Sequence, residues 1–420
     1  MHAVGLITEY NPFHNGHLHH LRQSLRQADA EVAVAVMSGH FLQRGEPALV
    51  DKWQRTAMAL AAGVDVVIEL PFAFACQSAP VFARGAVQCL QGIGGVESLC
   101  FGSETGDLKA LSACAELLRQ QQAALADGTA GQLRQGVHYA EARAALVARL
   151  SGSPRLTDLL RTPNNILAIE YLGALTDLGS SIRSLTIPRI GAGYHDREAV
   201  GCIASATGIR QRLSAGKPVD AYVPAAIAGL LKRAGEQKLF ASEEFLHRLV
   251  LGQIFRGRDA LRKIVQVEAG LDRRLINGAL ESRSWVDLVD RVKARQLTRT
   301  RVQRILCYVL NDLRPSQLHA CFDGGPRYLQ LLGCSERGRR FLAAGRKQRS
   351  LPLVGNFSRI YATLKRFYGP GSEALQQALT QLELDLRATR NYSLLLPGWT
   401  GGNRHRDFFE EVLRASSAAF

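Results

Sequence analysis

The sequence predicts an α/β protein in which an N-terminal doubly wound parallel sheet is followed by a mainly helical C-terminal region. Two observations lead to this fold class. Short apolar runs alternate with helical patterns over roughly the first 220 residues, as in a parallel sheet with helices on both faces. From residue 224 to about residue 320 the apolar residues have helical spacing alone,.

The strands of the predicted sheet are short apolar segments rich in Val, Ile and Leu. Five are expected, at 3–10, 31–39, 64–71, 96–104 and 184–190. Helices are expected between them, at 18–28, 51–63, 107–126, 137–151 and 164–178. Further helices are expected at 243–254, 258–267 and 284–294. The helix at 51–63 has Asp51 at its start and Gly63 at its end, a pattern typical of capped helices.

The loops after the predicted strands contain Gly, Pro, Asn or charged residues. They are EYNPFHNGH, SGHFLQRGEP, ELPF, FGSE and PRIGAGYHD. Ligands of a doubly wound sheet bind beyond the carboxyl ends of its strands. All five loops are therefore predicted to lie along one rim that forms the ligand site.

A chain of 420 residues exceeds one ordinary hydrophobic core, and three regions are predicted. The sheet domain covers 1–220, a basic helical region covers 221–350, and a C-terminal subdomain covers 351–420. In the second region, 291–310 contains six Lys or Arg and no Asp or Glu, and 327–349 contains seven Lys or Arg and one Glu. Clustered positive charge of this kind favours a phosphate-rich partner such as nucleic acid.

The composition narrows the class of protein further. The formal net charge is +15, with 46% hydrophobic and 21% charged residues. No apolar run is long enough to cross a bilayer, so no membrane association is expected. The first residues lack a secretion signal, and the eight cysteines form no CxxC pair. We therefore expect a cytoplasmic protein with reduced thiols and no protein-bound metal.

The segment EYNPFHNGH (9–17) places two histidines around a glycine between a strand and a helix. Gly16 would let the backbone approach a ligand, and the free N–H groups of the helix start would attract phosphate. His14 and His17 would donate hydrogen bonds to phosphate oxygens and stabilise charge on an α-phosphate. The same histidines are also compatible with a metal site, although no further ligands stand nearby, or with simple helix capping. The adjacent His19 and His20 have no role on this reasoning.

A second phosphate-binding pattern follows the last predicted strand, in ASATGIRQRL (204–213). Ser205 and Thr207 can cap the helix and contact phosphate, and Arg210 can neutralise it. Helix capping alone would also account for this pattern. Because both motifs follow strands of one sheet, we expect His14, His17 and Arg210 to converge on one triphosphate.

The HxGH motif with a late (S/T)xxxIR helix resembles the signature of the nucleotidyltransferase superfamily, which has a Rossmann-like sheet. The ordered set GLITEYNPFHNGHL, SGHFLQRGEPALVDKW, GVDVVIELPF, FGSE, PNNILAIEYL, RIGAGYHD and SATGIR resembles the tRNA(Met) cytidine acetate ligase family. The matches span residues 3–213, and TRTRVQRILCYVL with LLGCSERGR extends them to about residue 340. Thr8 and His40 depart from the pattern, in which an apolar residue and an Asn are expected.

The resemblance implies that ATP is bound by one continuous segment and a few later residues. The segment comprises Ile7, Thr8, Glu9, Tyr10, Asn11, Pro12, Phe13, His14, Asn15, Gly16, His17, Leu18, His19 and His20. The later residues are Gly102, Asn165, Arg189 and Ile190. Gly102 would allow close approach of the nucleotide, and Asn165 would offer a donor and an acceptor to a base or ribose. Arg44, Glu46 and Lys52 lie on the same predicted rim, and Lys52 is a candidate triphosphate contact and catalytic residue.

The resemblance also implies the reaction and the partners. Acetate would attack the α-phosphate of ATP to give acetyl-adenylate and pyrophosphate, with Mg²⁺ accompanying the nucleotide. The amine of the wobble cytidine of elongator tRNA(Met) would then attack the acetyl carbonyl, giving N4-acetylcytidine and AMP. The tRNA is expected on the helical segment 258–349, where Arg301 and Arg304 share a helix face. Tyr10, Phe13 and Tyr194 are candidate stacking residues for an unpaired base.

Two other functions are compatible with the residues themselves. The chain could be an adenylyltransferase that acts on a small phosphorylated metabolite, although such a substrate would not need the basic helical region. It could also be a non-catalytic RNA-binding protein, against which the intact HxGH and SATGIR motifs count.

Overall fold

The computed structural model describes residues 1–121, 144, 147–189, 202–401 and 404–415. Its centre is a mixed sheet with eight strands in the described part of the chain. The strands are β1 (Ala3–Thr8), β2 (Val32–Ser38), β3 (Val66–Leu70), β4 (Ser98–Ser103), β5 (Arg183–Pro188), β6 (Leu329–Cys334), β7 (Leu353–Val354) and β8 (Leu413–Arg414). The strand order is β5-β4-β1-β2-β3-β6-β7, and β8 pairs with β6.

The first five strands are parallel to one another, as predicted. All residues of β2 and β3 are buried, because helices cover both faces of the sheet. In β2 the side chains alternate between two cores: Val32, Val34 and Val36 pack on one side, and Ala33, Ala35 and Met37 pack on the other. The predicted fold class is therefore confirmed for the N-terminal region.

The helices before β5 are α1 (Asn15–Ala28), α2 (Lys52–Ala61), α3 (Phe72–Ala75), α4 (Ala79–Ile93), α5 (Leu108–Gln120), α6 (Pro154–Leu159) and α7 (Pro163–Asp177). Those between β5 and β6 are α8 (Ala206–Ser214), α9 (Ala225–Glu236), α10 (Glu243–Ile254), α11 (Arg258–Leu261), α12 (Leu271–Glu281), α13 (Trp285–Val292), α14 (Arg299–Leu310) and α15 (Pro315–Gly324). Those after β6 are α16 (Glu336–Ala344), α17 (Ile360–Tyr368) and α18 (Glu373–Ser393). Most of the helix predicted at 137–151 lies outside the described residues.

The mainly helical C-terminal region also contains a strand at residues 329–334, which the sequence analysis did not predict. These residues form β6, which pairs antiparallel with β3. The run LQLLGC is too short to distinguish a buried strand from part of a helix by its apolar pattern. β7 and β8 extend the same sheet from the last part of the chain. The predicted boundaries near residues 220 and 350 stay predictions, and the sheet draws strands from both sides of each.

The C-terminal helix α18 connects the last part of the chain to the N-terminal sheet. A carboxylate oxygen of Asp385 accepts a hydrogen bond of 2.8 Å from the backbone N–H of Phe72. The hydroxyl of Tyr392 donates to the carbonyl oxygen of Ala48, also at 2.8 Å. These contacts hold α18 beside the loops that follow β2 and β3.

Two further expectations concern membranes and cysteines. Among the described residues, we find no helix with the length and apolar character needed to cross a bilayer. All eight cysteines are free thiols, and six of them are buried. Burial raises the pKa of the Cys100 thiol to about 11 and that of the Cys321 thiol to about 12, so these thiols are unreactive at neutral pH.

Candidate active site

A cavity of about 480 Å³ lies at the carboxyl ends of β1 and β4. In the order of strands, β1 has β2 on one side and β4 on the other. The direction of winding therefore reverses beside β1, which is where doubly wound sheets bind ligands. The loops after β1 and β2, the end of β4 within the FGSE segment, and the start of the loop after β5 contribute to the wall, whereas the ELPF segment after β3 does not. Four of the five predicted loops thus share one rim.

The two histidines of the HxGH motif form a capping box at the start of α1. The Nδ1 atom of His14 accepts a hydrogen bond from the backbone N–H of Gly16 at 3.1 Å. The Nδ1 atom of His17 accepts from the backbone N–H of His14 at 3.3 Å. Because both Nδ1 atoms accept, each neutral ring carries its proton on Nε2. Capping therefore fixes the tautomer that a phosphate-binding histidine needs.

Burial keeps both imidazoles neutral. It lowers the pKa of His14 to about 3, with a smaller contribution from Arg189. It also lowers the pKa of His17 well below its usual value, assisted by His14, Arg189 and His20. The two rings stack with their centroids 3.7 Å apart. Both line the cavity, so they offer paired N–H donors rather than positive charge.

The absence of a side chain at Gly16 has a structural reason besides the predicted approach of a ligand. A Cβ atom at this position would lie 2.9 Å from Cε1 and 3.0 Å from Nδ1 of His14. These distances are too short for a real side chain, so the glycine makes room for the capping imidazole. Gly16 also lines the cavity, but the closest constraint on it is the histidine ring.

The SATGIR motif lies on the wall of the same cavity. The Ser205 hydroxyl caps α8 by accepting from the backbone N–H of Gly208 at 3.0 Å. Arg210 donates to the carbonyl oxygen of Asn11 at 2.9 Å and to the Thr207 hydroxyl at 3.4 Å. Ser205, Thr207 and Arg210 all line the cavity together with the two histidines. The convergence predicted for the two motifs is present, and their contacts with a nucleotide stay a prediction.

The corner between β4 and α7 is held by Glu104. Its carboxylate accepts from the backbone N–H groups of Asn164 at 3.1 Å and of Asn165 at 2.7 Å, which caps the start of α7. The Asn165 side-chain oxygen in turn accepts from the backbone N–H of Glu104 at 3.0 Å. Asn165 does not line the cavity, whereas Asn164 and Arg189 do, and Arg189 donates to the Asn164 side chain at 3.1 Å.

The predicted contact between Asn165 and the nucleotide is therefore not supported by this geometry, because its side-chain oxygen holds the FGSE turn. Gly102 does line the cavity, and a Cβ there would be in ordinary contact with Arg189 at 3.6 Å. The glycine leaves this part of the wall open. Ile190 and Tyr194 lie outside the described residues.

The structure contradicts the predicted role of Lys52 as a triphosphate contact. Its side chain is fully buried and does not line the cavity. The ammonium lies 2.6 Å from a carboxylate oxygen of Glu69 and 2.5 Å from one of Asp407. Two carboxylates thus neutralise the charge of Lys52. The neighbouring Asp51 caps α2 by accepting from the backbone N–H of Gln54 at 2.8 Å, as the capping pattern predicts.

The segment Ile7–His20 divides into residues that line the cavity and residues that support it. The lining residues are Ile7, Thr8, Glu9, Tyr10, Asn11, His14, Gly16, His17, His19 and His20. The others, Pro12, Phe13, Asn15 and Leu18, do not line it. Phe13 is fully buried in the core, and Asn15 donates to the carbonyl oxygens of Cys202 and Ala221. Phe13 is therefore unavailable for stacking on a base, and His19 and His20 are closer to the ligand site than motif chemistry alone predicts.

The wall of the cavity also includes residues that sequence reasoning did not place there. Thr300 and Arg304 reach it from α14, and Phe82 and Tyr171 reach it from α4 and α7. The basic stretch containing Arg304 predicted an RNA surface, and no local pattern marked that residue as part of the cavity. Only the packing of α14 against the loop after β2 brings it there.

The contact between α14 and the loop after β2 depends on Gly45. Its φ is +79°, and a Cβ atom there would overlap the backbone nitrogen of Arg304. The Cys307 thiol donates to the Gly45 carbonyl oxygen at 3.3 Å. Next to it, Glu46 accepts from the Gln303 side chain at 3.4 Å and from Arg210 at 3.5 Å. Glu46 therefore links the basic helical region to the SATGIR arginine.

Several arginines of the basic helical region are paired with acids from neighbouring elements. Arg291 pairs with Glu281 and Asp287, Arg299 with Asp290, and Arg301 with Glu268. Arg337 pairs with the buried Asp65. The two aromatic residues of the basic stretch 327–349, Tyr328 and Phe341, are buried. The local charge is thus lower than the sequence stretches indicate, and the tRNA surface at 258–349 stays a prediction.

The donor set of the cavity suits an anionic ligand. In the described part of the chain, no three His, Cys, Asp or Glu side chains are grouped so as to hold a metal ion. The cavity instead collects imidazole N–H donors, the start of α1, and the guanidinium groups of Arg189 and Arg210. Such an arrangement binds phosphate oxygens and stabilises charge that develops on them.

Comparisons with known proteins agree with this chemistry. The HIGH Nucleotidyl Transferase family matches residues 1–406. A tRNA(Met) cytidine acetate ligase of Syntrophotalea carbinolica is 61% identical over 420 residues, which is 100% of both chains. The Bacillus subtilis protein of the same name is 37% identical over 94% of this chain and 92% of its own length. The crystal structure of Thermotoga maritima TmcAL bound with alpha-thio ATP is 33% identical, with a TM-score of 0.90 over 99% of both chains.

Proposed function

Because this chain belongs to the tRNA(Met) cytidine acetate ligases of the HIGH nucleotidyl transferase family, we propose that it uses ATP to join acetate to a cytidine of tRNA(Met). The first step forms acetyl-adenylate and pyrophosphate from acetate and ATP. The second step transfers the acetyl group to the amine of the wobble cytidine of elongator tRNA(Met), which gives N4-acetylcytidine and releases AMP.

The cavity itself carries this proposal. Its lining includes His14, His17 and Arg210 of the two motifs together with Thr300 and Arg304 of the basic helical region. A site that only adenylates a small metabolite would not need a helix from that region in its wall. A substrate that is part of a large polyanion does, because its phosphates need clustered Lys and Arg nearby.

The nucleotide site follows from the donors of the cavity. The Nε2–H groups of His14 and His17 are directed to the α-phosphate, where negative charge builds as acetate attacks. Arg189 and Arg210 neutralise the phosphates, and Ser205 and Thr207 support the start of α8 beside them. The backbone at Gly102 admits the nucleoside, while Asn165 keeps the FGSE turn in position.

Magnesium is proposed to arrive with ATP, bound chiefly by phosphate oxygens, since Mg²⁺ commonly keeps its waters and is held by substrate phosphates. We place the tRNA over the segment 258–349, with the target base entering beside Arg304. The proposed site of action is the cytoplasm, where the reduced state of the buried thiols is maintained.

One experiment separates this function from its two rivals. Purified protein is incubated with ¹⁴C-acetate, ATP, Mg²⁺ and tRNA(Met), and label in the tRNA is followed together with AMP release. We expect acetate-dependent label on a cytidine, and about a 10²- to 10³-fold loss in His17→Ala, with tRNA affinity retained. The matched control is His2→Ala, which removes an exposed histidine just before β1, away from the cavity and from the segment 258–349.

The alternative outcomes are distinct. Adenylation of a phosphorylated metabolite without label in tRNA would establish the small-substrate adenylyltransferase instead. Tight RNA binding with no affinity for ATP would establish a non-catalytic RNA-binding protein. Equal loss of tRNA affinity and adenylate formation in His17→Ala would contradict the assignment of that histidine to the phosphate.

A further inference from the structure

The second step of the proposed reaction requires a group that accepts a proton, because the cytidine amine loses one as it becomes an amide. The titratable side chains that line the cavity among the described residues are four histidines, two tyrosines and two glutamates, besides the arginines. Arginines stay protonated at neutral pH. The proton acceptor is therefore to be found among the other eight.

The imidazoles of His14, His17 and His20 are poor bases in this position. Burial lowers the pKa of His14 to about 3 and that of His20 to about 4, and it lowers the pKa of His17 well below its usual value. The Nδ1 atoms of His14 and His17 accept backbone N–H groups. The remaining nitrogen of each carries a proton, so it can donate to phosphate but cannot accept.

The two tyrosines are excluded as proton acceptors because their phenols keep their own protons. Burial raises the pKa of Tyr10 and of Tyr171 above the ordinary tyrosine value. Both phenols are fully protonated at neutral pH. His19 also lines the cavity, but among the described residues no hydrogen bond holds its imidazole in position, so nothing directs it towards a reacting amine.

The two glutamates differ in what their carboxylates already bind. Glu46 accepts from Arg210 at 3.5 Å with one oxygen and from Gln303 at 3.4 Å with the other. Glu9 accepts from the backbone N–H of Gln43 with one oxygen at 2.8 Å, and within the described residues no hydrogen bond reaches its second oxygen. Glu9 therefore has an oxygen available inside the cavity.

The position of Glu9 is fixed by the strand before it. It follows β1 directly, and its carbonyl oxygen accepts from Arg55 at 2.8 Å. Arg55 is fully buried, which anchors the backbone of this residue. The side chain lies on the same wall as Gln43, Arg44 and Glu46, the loop that packs on α14. Glu9 thus lies beside the loop that packs on α14 and lines the same cavity as the phosphate donors.

We propose that Glu9 is the catalytic base that takes the proton from the cytidine amine during acetyl transfer, an inference that rests on the proposed function. The amine nitrogen forms a bond to the acetyl carbonyl carbon. The bond between that carbon and the phosphate oxygen breaks, and AMP leaves with the electron pair. The proton of the amine passes to the free carboxylate oxygen of Glu9. Atoms and charges balance without a further reactant.

The surroundings of Glu9 suit this role. Burial raises the pKa of Glu9 above the ordinary value, and Glu46 acts in the same direction. The backbone N–H of Gln43 and the positive charges of Arg44 and Arg55 oppose the shift. A carboxylate with a raised pKa is a stronger base than an exposed one. Because the ionised form is the active one, the rate of acetyl transfer should increase with pH through the pKa of Glu9 and then level off.

The test uses Glu9→Gln, in which the amide oxygen can still accept from the Gln43 N–H. The first step is measured as acetate-dependent exchange of labelled pyrophosphate into ATP. The second is measured as single-turnover transfer from acetyl-adenylate, formed on the enzyme, to tRNA(Met). We expect exchange within about threefold of wild type, and transfer reduced by about 10²- to 10⁴-fold with its pH dependence lost. The matched control is Glu97→Gln, an exposed acid at the amino end of β4 that pairs with His2.

Glu46→Gln distinguishes a base from a positioning residue. It removes the charge that holds Arg210, so both steps should decline together. The same pattern in Glu9→Gln would overturn the inference, as would unchanged transfer. Recovery of acetyl transfer in the Glu9→Gln variant on addition of excess Mg²⁺ would also overturn the inference, because this result would place Glu9 at the metal ion that accompanies ATP. Absence of acetate-dependent exchange in wild type would overturn the proposed function itself, whereas an active wild type with no transfer defect in Glu9→Gln would overturn only the role of Glu9.

Discussion

Replacing Lys52 by Met should destabilise the protein without affecting nucleotide binding. The ammonium of Lys52 is fully buried and lies within 2.6 Å of Glu69 and 2.5 Å of Asp407. Met fills a similar volume but leaves two carboxylates in the interior without their cation. The side chain of Lys52 does not line the cavity, so the affinity of the folded variant for ATP should stay within about twofold of wild type. The sequence-based prediction of a triphosphate contact requires the opposite result.

The expected loss can be estimated from the pairing. Removing one partner of a buried ion pair typically costs about 3–5 kcal/mol. Even beside Lys52, burial raises the pKa of Glu69 to about 7, so part of the cost is relieved when this carboxyl takes up a proton. We therefore expect Lys52→Met to lower the free energy of unfolding by about 3–4 kcal/mol at pH 7 rather than by the top of that range. The triple variant Lys52→Met, Glu69→Gln, Asp407→Asn contains no unpaired charge and should recover at least half of the loss.

Urea unfolding followed by tryptophan fluorescence measures this change. Trp53 reports on the surroundings of Lys52, because the Lys52 ammonium lies 4.9 Å and the Arg406 guanidinium 4.4 Å from the centroid of its ring. ATP affinity is measured by calorimetry on the folded variant. A free energy of unfolding within about 0.5 kcal/mol of wild type, the range of an ordinary surface substitution, would refute the reasoning. So would a tenfold loss of ATP affinity in a folded Lys52→Met variant.

Two further predictions follow from the same structure. Gly45→Ala should lower the free energy of unfolding by about 1–3 kcal/mol and reduce acetyl transfer. The control Gly371→Ala changes a glycine whose φ is +77° but which has no neighbour within 4 Å, so it should lower the free energy of unfolding by less. Equal decreases of the two variants in urea unfolding would show that the contact with α14 is unimportant. Burial lowers the pKa of His40 well below its usual value, so folding disfavours its protonation and the stability present above pH 6.5 should be lost as the pH falls. Between pH 6.5 and 5, His40→Asn should show a slope shallower by up to about 1.4 kcal/mol per pH unit in urea unfolding, and parallel slopes would contradict this.

The relation between the two histidines shows why helix capping and ligand binding need not exclude each other. In the sequence, capping and phosphate binding are competing interpretations of HxGH. In the structure, the backbone uses Nδ1 of His14 and of His17, which leaves Nε2 protonated for a ligand. The same holds for Ser205, whose cap places α8 and Arg210 on the cavity wall. In both motifs the capping contact orients the residues that are proposed to bind the nucleotide.

The failed expectations share a physical cause. Lys52 stands one residue after a helix cap on a predicted rim, and nothing in its neighbourhood indicates that Asp407, 355 residues later, accepts its charge. Asn165 was expected at the nucleotide from the family resemblance, yet its side-chain oxygen accepts from the backbone of the FGSE turn and the residue does not line the cavity. A side chain with suitable chemistry faces the ligand only if no partner from elsewhere in the chain binds it first.

By itself the sequence determined the parallel direction of the first five strands, capped helix starts such as that of α2, and the convergence of the HxGH and SATGIR motifs. These features follow from the periodicity of apolar residues, from helix capping, and from the shared edge at which parallel strands end. Each of these depends on neighbouring residues or on the topology of the sheet. Only the tertiary structure decided that β6 joins β3 in the antiparallel direction, that Lys52 is buried, and that Glu46 meets Gln303 across 257 residues. Such contacts depend on the packing of distant segments, whose free energy is spread over many weak interactions and leaves no mark at any one position.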